Sequence, residues 1–214
     1  MISHKHKCIF VEVPKTGSTS IRAIIGSPPT PHLDICQISY NLQHYWTHYG
    51  GIKNRIFSSL YILLPERKRI EIGKKQFNSY FKFGFVRNPW DRFVSLYLRK
   101  EGLKMKDKMT FDEFVEWIKY SSGTCVYAIP HMNQLDWFVD PHGNVLVDFI
   151  GKFENIQTDW GIIAAKLGLP KELPHENKNP DKKHYTEYYS KKTKEIIKNK
   201  FRVDIEHFQY RFGD

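Results

Sequence analysis

Near the start of the chain, Pro14-Lys15-Thr16-Gly17-Ser18-Thr19-Ser20 gathers a cation, a glycine and four hydroxyl side chains into seven residues. Such a set suits an anion of the phosphate type. Lys15 carries a full charge, Gly17 lets the backbone come close, and Thr16, Ser18, Thr19 and Ser20 offer hydroxyl donors. The same residues would also make an ordinary strand-to-helix turn with Ser/Thr capping, so what flanks them matters. Cys8 to Val13 is β-prone, and Ile21, Ala23, Ile24 and Ile25 before Gly26 read as a short helix. A loop in that position points backbone N–H groups at whatever sits above it, and the helix dipole adds partial positive charge. The Lys precedes the only Gly by two residues, whereas a Walker A loop places Lys after its second Gly. The run resembles a P-loop in architecture but not in spacing.

A second run, Arg87-Asn88-Pro89-Trp90-Asp91-Arg92-Phe93-Val94-Ser95, repeats the arrangement. Tyr80 to Arg87 is aromatic and β-prone, and Pro89 suits the first turn of a helix, where its missing N–H costs nothing. Trp90, Phe93, Val94, Tyr97 and Leu98 follow helical spacing and predict a buried stripe. Arg87 at the strand end and Ser95 two turns into the helix could hold a second phosphate, the guanidinium in bidentate fashion. Arg92 either adds a second cation or forms a solvated surface pair with Asp91.

The elements that must position these residues follow the same pattern. Val145 to Ile150 reads as a third strand and Asn155 to Leu167 as a helix with Ile156, Trp160, Ile163, Ala164 and Leu167 inward. Thr110-x-x-Glu113 forms a capping box ahead of Phe114, Val115 and Ile118, and a Lys- and Tyr-rich helix is expected from about Thr186 to Phe201. Residues 32–79 show no clean period. Strands alternating with helices predict an α/β fold, a single domain over 1–214 with a central parallel sheet flanked by helices. The ligand is then expected at the carboxyl ends of the strands.

The 214 residues are 41% hydrophobic, enough for a core without staples. Net charge is +10, and the excess is regional, since residues 53–108 hold 15 Lys/Arg against 5 Asp/Glu. Anionic partners are expected. Cys8, Cys36 and Cys125 have neither disulfide-framework nor metal spacing, and no Asn-x-Ser/Thr sequon occurs. The sequence shows no signal peptide, no membrane span and no nucleic-acid-binding signature. A reducing, cytoplasmic setting is the expectation.

In this order, Pro-Lys-Thr-Gly-Ser-Thr-Ser (14–20) and Phe-Val-Arg-Asn-Pro-Trp-Asp-Arg-Phe-Val-Ser (85–95) resemble the paired signature of sulfotransferases, nearest the carbohydrate branch similar to heparan 2-O, chondroitin and HNK-1 type enzymes. Residues 147–155, Val-Asp-Phe-Ile-Gly-Lys-Phe-Glu-Asn, resemble that branch's third block, and Tyr188-Tyr189, Asp204 and Phe208-x-Tyr210-x-Phe212 resemble its end. The resemblance implies a P-loop-like sulfotransferase fold with 3′-phosphoadenylyl sulfate (PAPS) as donor and adenosine 3′,5′-bisphosphate as product. Lys15, Thr16, Gly17, Ser18, Thr19 and Ser20 would bind the 5′-phosphosulfate, Lys15 beside the bridging oxygen, and Arg87 and Ser95 the 3′-phosphate. The acceptor would be a hydroxyl, foremost on a carbohydrate and otherwise on another molecule, neutral or anionic. No metal is required.

A hydroxyl acceptor needs a base, for which His is the usual choice. In this family it commonly lies between the two cofactor motifs, which puts His48 first, with His44 and His32 as alternatives there and His131, in the segment before the third block, as a further one. His44 and His48 stand at i and i+4, a spacing that also serves a metal, but no third ligand is evident. His4, His6, His142 and His207 are expected to be solvated, and Glu154 to be a structural partner. Two other readings compete: a P-loop-like nucleotide kinase and a non-catalytic polyanion-binding module.

Overall fold

The apolar run Cys-Ile-Phe-Val has no polar interruption, as expected of a parallel strand covered on both faces. The computed structural model describes residues 1–26, 32–44, 61, 63–98, 108–120 (119 and 120 without their side chains), 133–174 and 183–214. Its sheet begins with β1 (Ile2–Ser3), antiparallel to β2 (Cys8–Val11). β3 (Phe81–Val86) lies parallel to β2 with Cys8 opposite Phe81, and β4 (Phe149–Lys152) lies parallel to β3 with Val86 opposite Lys152. The order is β1-β2-β3-β4, so β2, β3 and β4 all leave the sheet at one edge.

The chain divides into two compact units, Met1–Val86 with Trp137–Glu176 and Arg87–Asp136 with Asn177–Asp214. The first holds the sheet, α1 (Ser18–Ile25), α2 (Ile35–His44) and α3 (Glu66–Ser79). On one face, Phe10 stacks on Phe83 at 5.1 Å, and Trp160, Ile163 and Ala164 of a later helix complete the core. Full burial of each large side chain stabilises by about 1.5–3 kcal/mol. Cys8 belongs to this core, and burial pushes its thiol up to about 12, as befits a packing residue. α2 and α3 cross closely at Gly73, where a Cβ would lie 2.3 Å from the Leu42 carbonyl oxygen.

In the second unit, α4 (Pro89–Tyr97) is capped by Asn88, whose side chain accepts from Trp90 N–H, with Pro at its first position as predicted. Trp90, Phe93 and Val94 are buried against Phe114, Val115 and Ile118 of α5 (Phe111–Tyr120), while Tyr97 and Leu98 are partly buried on the same cluster. The Thr110/Glu113 capping box forms in both directions: Thr110 N–H donates to the Glu113 carboxylate at 2.7 Å, and Glu113 N–H to the Thr110 hydroxyl at 3.3 Å.

Several expectations shift. The strand expected at Val145–Ile150 is β4, which begins four residues later and ends two later; Asp140 accepts from the N–H groups of His142 and Asn144, and this turn pairs Val145 with Val139 instead. The helix after it is α6 (Ile156–Leu167), close to its expected bounds. The C-terminal helix is not continuous, because Ser190 accepts from Thr193 N–H and starts a new helix, α7 (Lys191–Lys200), followed by α8 (Arg202–His207). His4 and His6 are half-buried rather than solvated: β1 draws the N-terminal segment onto the sheet, and His4 Nδ1 lies 2.8 Å from the Tyr80 hydroxyl. His142 and His207 are exposed as expected. Among the described residues, no helix is long and apolar enough to cross a membrane.

Candidate functional site

The loop after β2 is built by positive backbone angles. Lys15 has φ +71°, uncommon for a residue with a side chain, and Gly17 has φ +85°. Thr16 between them is buried, and its hydroxyl donates to the Val13 carbonyl at 2.8 Å, which turns it into the loop and commits it to holding the loop's shape. Lys15, Ser18, Thr19 and Ser20 are half-buried. The N-cap residue of α1 is Gly17, which has no side chain to cap it, and no acidic residue occupies the first turn. The helix end therefore presents its backbone N–H groups and the positive end of its dipole.

The third sequence block supports this loop from behind. A Cβ on Gly17 would lie 2.7 Å from Ile156 Cδ1 and 3.1 Å from the Phe153 ring. Asp159 accepts from Lys152 N–H at 2.6 Å and fixes the turn from β4 into α6. Gly17 thus meets both a conformational and a steric demand, and the signal for the second was the Phe-x-x-Ile pattern following β4.

Arg87, the first residue after β3, is 7% exposed. Its Nε and Nη2 both donate to Asp91 Oδ2, at 2.8 and 2.6 Å. Asp91 and Ser95 stand one turn apart on the half-buried side of α4, opposite its buried side, and Asp91 there meets the guanidinium of Arg87. Arg92 is not solvated: it is 3% exposed and acts on the buried Asp204, while Asp91 pairs with Arg87. Position 92 falls on the inward side of α4, which excludes it from the surface.

Sequence reasoning missed Gln134, which is fully buried. Its Oε1 accepts from Arg87 N–H at 2.9 Å and its Nε2 donates to the Arg87 carbonyl at 2.8 Å. Asp204 of α8 in turn accepts from Gln134 N–H at 2.8 Å, Leu135 N–H at 3.1 Å and Gln134 Nε2 at 3.3 Å. Burial pushes the Asp204 carboxyl above its ordinary value, and the N–H groups and Arg92 pull the other way.

Of the histidines proposed as base, His48 and His131 lie outside the described residues. His44 ends α2, stacks on Tyr40 at 4.2 Å and approaches Glu66 at 3.9 Å. His32 is exposed, sits edge-on to Trp137, and has Nδ1 2.9 Å from the Glu12 carbonyl oxygen, three residues before Lys15. Because a carbonyl only accepts, that contact places the proton on Nδ1 and leaves Nε2 as the basic nitrogen. Among the described residues, no group of three or more His, Cys, Asp or Glu is arranged to hold a metal.

Comparison with known proteins bears on what this arrangement serves. The Sulfotransferase family matches residues 1–211. Over 107 residues the chain is 37% identical to an uncharacterized protein of Archaeoglobus fulgidus, covering 49% of this chain and 82% of that one. It is 24% identical to human carbohydrate sulfotransferase 9 over 202 residues, 82% of this chain and 42% of the relative. It is also 24% identical to carbohydrate sulfotransferase 10 of Gallus gallus over 136 residues, 63% of this chain and 33% of the relative. The chain thus spans less than half the length of these two carbohydrate sulfotransferases. No solved structure shows a significant match.

Proposed function

Since the chain belongs to the sulfotransferase family, we propose that it transfers a sulfuryl group from PAPS to a carbohydrate hydroxyl, with both units acting as one sulfotransferase domain. The observation that carries this reading is the loop after β2, where left-handed backbone at Lys15 and Gly17 leads into the N-terminus of α1, whose N-cap Gly17 has no capping side chain and whose first turn has no acid. That cradle fits an anionic donor, and the relatives named as carbohydrate sulfotransferases support the acceptor class. When bound, the donor supplies an activated sulfuryl group on a phosphate leaving group.

In this reading Lys15 and the first-turn N–H groups of α1 stabilise negative charge that builds on the departing phosphate. Ser18, Thr19 and Ser20 add hydroxyl donors, and Arg87 with Ser95 holds the 3′-phosphate, Asp91 aligning the guanidinium. For the base we propose His32: the Glu12 carbonyl fixes its tautomer, and Nε2 takes the acceptor's proton as the new oxygen–sulfur bond forms.

The test is a thermal-shift titration with adenosine 3′,5′-bisphosphate, ATP and AMP. A ligand at a hundredfold its Kd stabilises by about 2.7 kcal/mol, worth about 5–10 °C in a chain of this size. The expected result is a selective rise with the bisphosphate and, in Lys15→Ala, retained fold with transfer reduced by about 10²–10³ or more. An equal rise with ATP, or near-normal transfer by Lys15→Ala, would refute the reading and favour the kinase or polyanion-binding alternatives.

A further inference from the structure

A strand residue normally has its N–H and C=O paired by a neighbouring strand. Arg87 stands just past the end of β3, and a side chain pairs both groups instead: the Gln134 amide accepts from its N–H and donates to its C=O, at 2.9 and 2.8 Å. Gln134 has no freedom to leave. Its own N–H donates to Asp204, its Nε2 makes a second contact with the same carboxylate, and the next residue, Leu135, donates to the other carboxylate oxygen. Gln134 and Asp204 are fully buried, and Arg92 compensates the acid's charge. A buried carboxylate that accepts backbone N–H bonds at this cost is a strong constraint on the geometry around it.

We propose that Gln134 and Asp204 form a positioning latch that sets the backbone of Arg87, and through it the aim of the guanidinium, so that they determine recognition of the donor's 3′-phosphate without touching it. The division of labour is explicit. Asp91 holds the head of Arg87 through Nε and Nη2, while the latch holds its peptide groups. A guanidinium binds phosphate in a fixed fork, so a small rotation of the Cα frame misdirects the fork even when the Asp91 contact survives. The proposal rests on the assignment of Arg87 to the 3′-phosphate made above.

The experiment compares binding of adenosine 3′,5′-bisphosphate and adenosine 5′-monophosphate by calorimetry, because the two differ only in the 3′-phosphate. Gln134→Met keeps the side-chain volume and removes both hydrogen bonds to Arg87; Asp204→Asn keeps the shape and removes the charge. Both variants are expected to lose about 10–100-fold in affinity for the bisphosphate while the monophosphate stays within about twofold, and Arg87→Ala combined with Gln134→Met should lose little more than Arg87→Ala alone. A merely structural role would weaken both nucleotides alike, and that outcome overturns the latch. Should neither variant fold, amide exchange in the wild type decides: Arg87 N–H is expected among the slowest to exchange, and fast exchange overturns the proposal. If the wild type does not prefer the bisphosphate, the assignment of Arg87 fails first, and the latch with it; a wild-type preference retained in both variants overturns the latch alone.

Discussion

Replacing Gly17 with alanine tests whether the loop after β2 depends on support from α6. An L-residue forced to the φ of +85° found at Gly17 pays about 1–2 kcal/mol. The new Cβ would also meet Ile156 Cδ1 at 2.7 Å and the Phe153 ring at 3.1 Å, and overpacking of this kind costs about 1–3 kcal/mol. Together these predict a loss of about 2–5 kcal/mol, or about 4–20 °C in melting temperature for a domain of this size. The two contributions separate, because Ile156→Val deletes the clashing Cδ1 and, at a half-buried site, costs about 0.5–1.5 kcal/mol by itself. Denaturant unfolding of Gly17→Ala, Ile156→Val and the double variant should show a favourable coupling of about 1 kcal/mol or more, with the backbone share left uncorrected. Additivity within about 0.5 kcal/mol, or a single-variant melting point within about 2 °C of wild type, would refute the idea that Ile156 is seated against the loop.

Other perturbations reach different parts of the molecule. His32→Asn keeps a donor for the Glu12 carbonyl but offers no base, so transfer should fall about 10²–10⁴-fold with bisphosphate affinity unchanged; transfer within tenfold of wild type would exclude His32 as the base. The folded state raises the Asp204 pKa chiefly by burial, so its stabilising contribution is complete below the ordinary carboxylate value and declines as pH rises through the folded value. Thermal melts of wild type and Asp204→Asn should therefore show the wild type's relative advantage shrinking as pH rises from about 4, and a constant difference would contradict it. Gly73→Ala, with a Cβ 2.3 Å from the Leu42 carbonyl, should lose about 2 kcal/mol after the helix-propensity gain is counted, visible as about 4–8 °C in a melt.

Much of this arrangement is legible in the sequence because it is local. The capping box at Thr110, the Pro89 helix start and the Trp90 stripe each involve residues within one or two helical turns, and so does the loop from Pro14 to Ser20. The α2–α3 pair was not legible: it depends on Gly73 meeting the Leu42 carbonyl and on Tyr61 donating to the carbonyls of Leu42 and Arg69, contacts that leave no period behind. The alternatives left open for Arg92, a second cation or a surface pair with Asp91, could not be decided locally, because its burial and its effect on Asp204 come from a partner 112 positions further on. Gln134 gave no signal, since a lone glutamine outside any periodic segment acquires meaning only from partners 47 and 70 positions away. For the base, the tautomer of His32 depends on a carbonyl 20 positions earlier, which spacing alone does not reveal.

The direction of protein synthesis gives those long separations a consequence in time. A ribosome delivers Lys15, β2, β3 and Arg87 early, and N-terminal parts of a chain fold before the rest has emerged. Arg87 cannot receive its amide partner until Gln134 appears, 47 residues later, and Gln134 is not anchored until Asp204 follows after a further 70. A nascent chain therefore carries the loop after β2 well before the peptide groups of Arg87 are fixed. On the proposed latch, selectivity for the donor's 3′-phosphate follows the emergence of α8, so translation through Asp204 is what would turn a general anion cradle into a selective one.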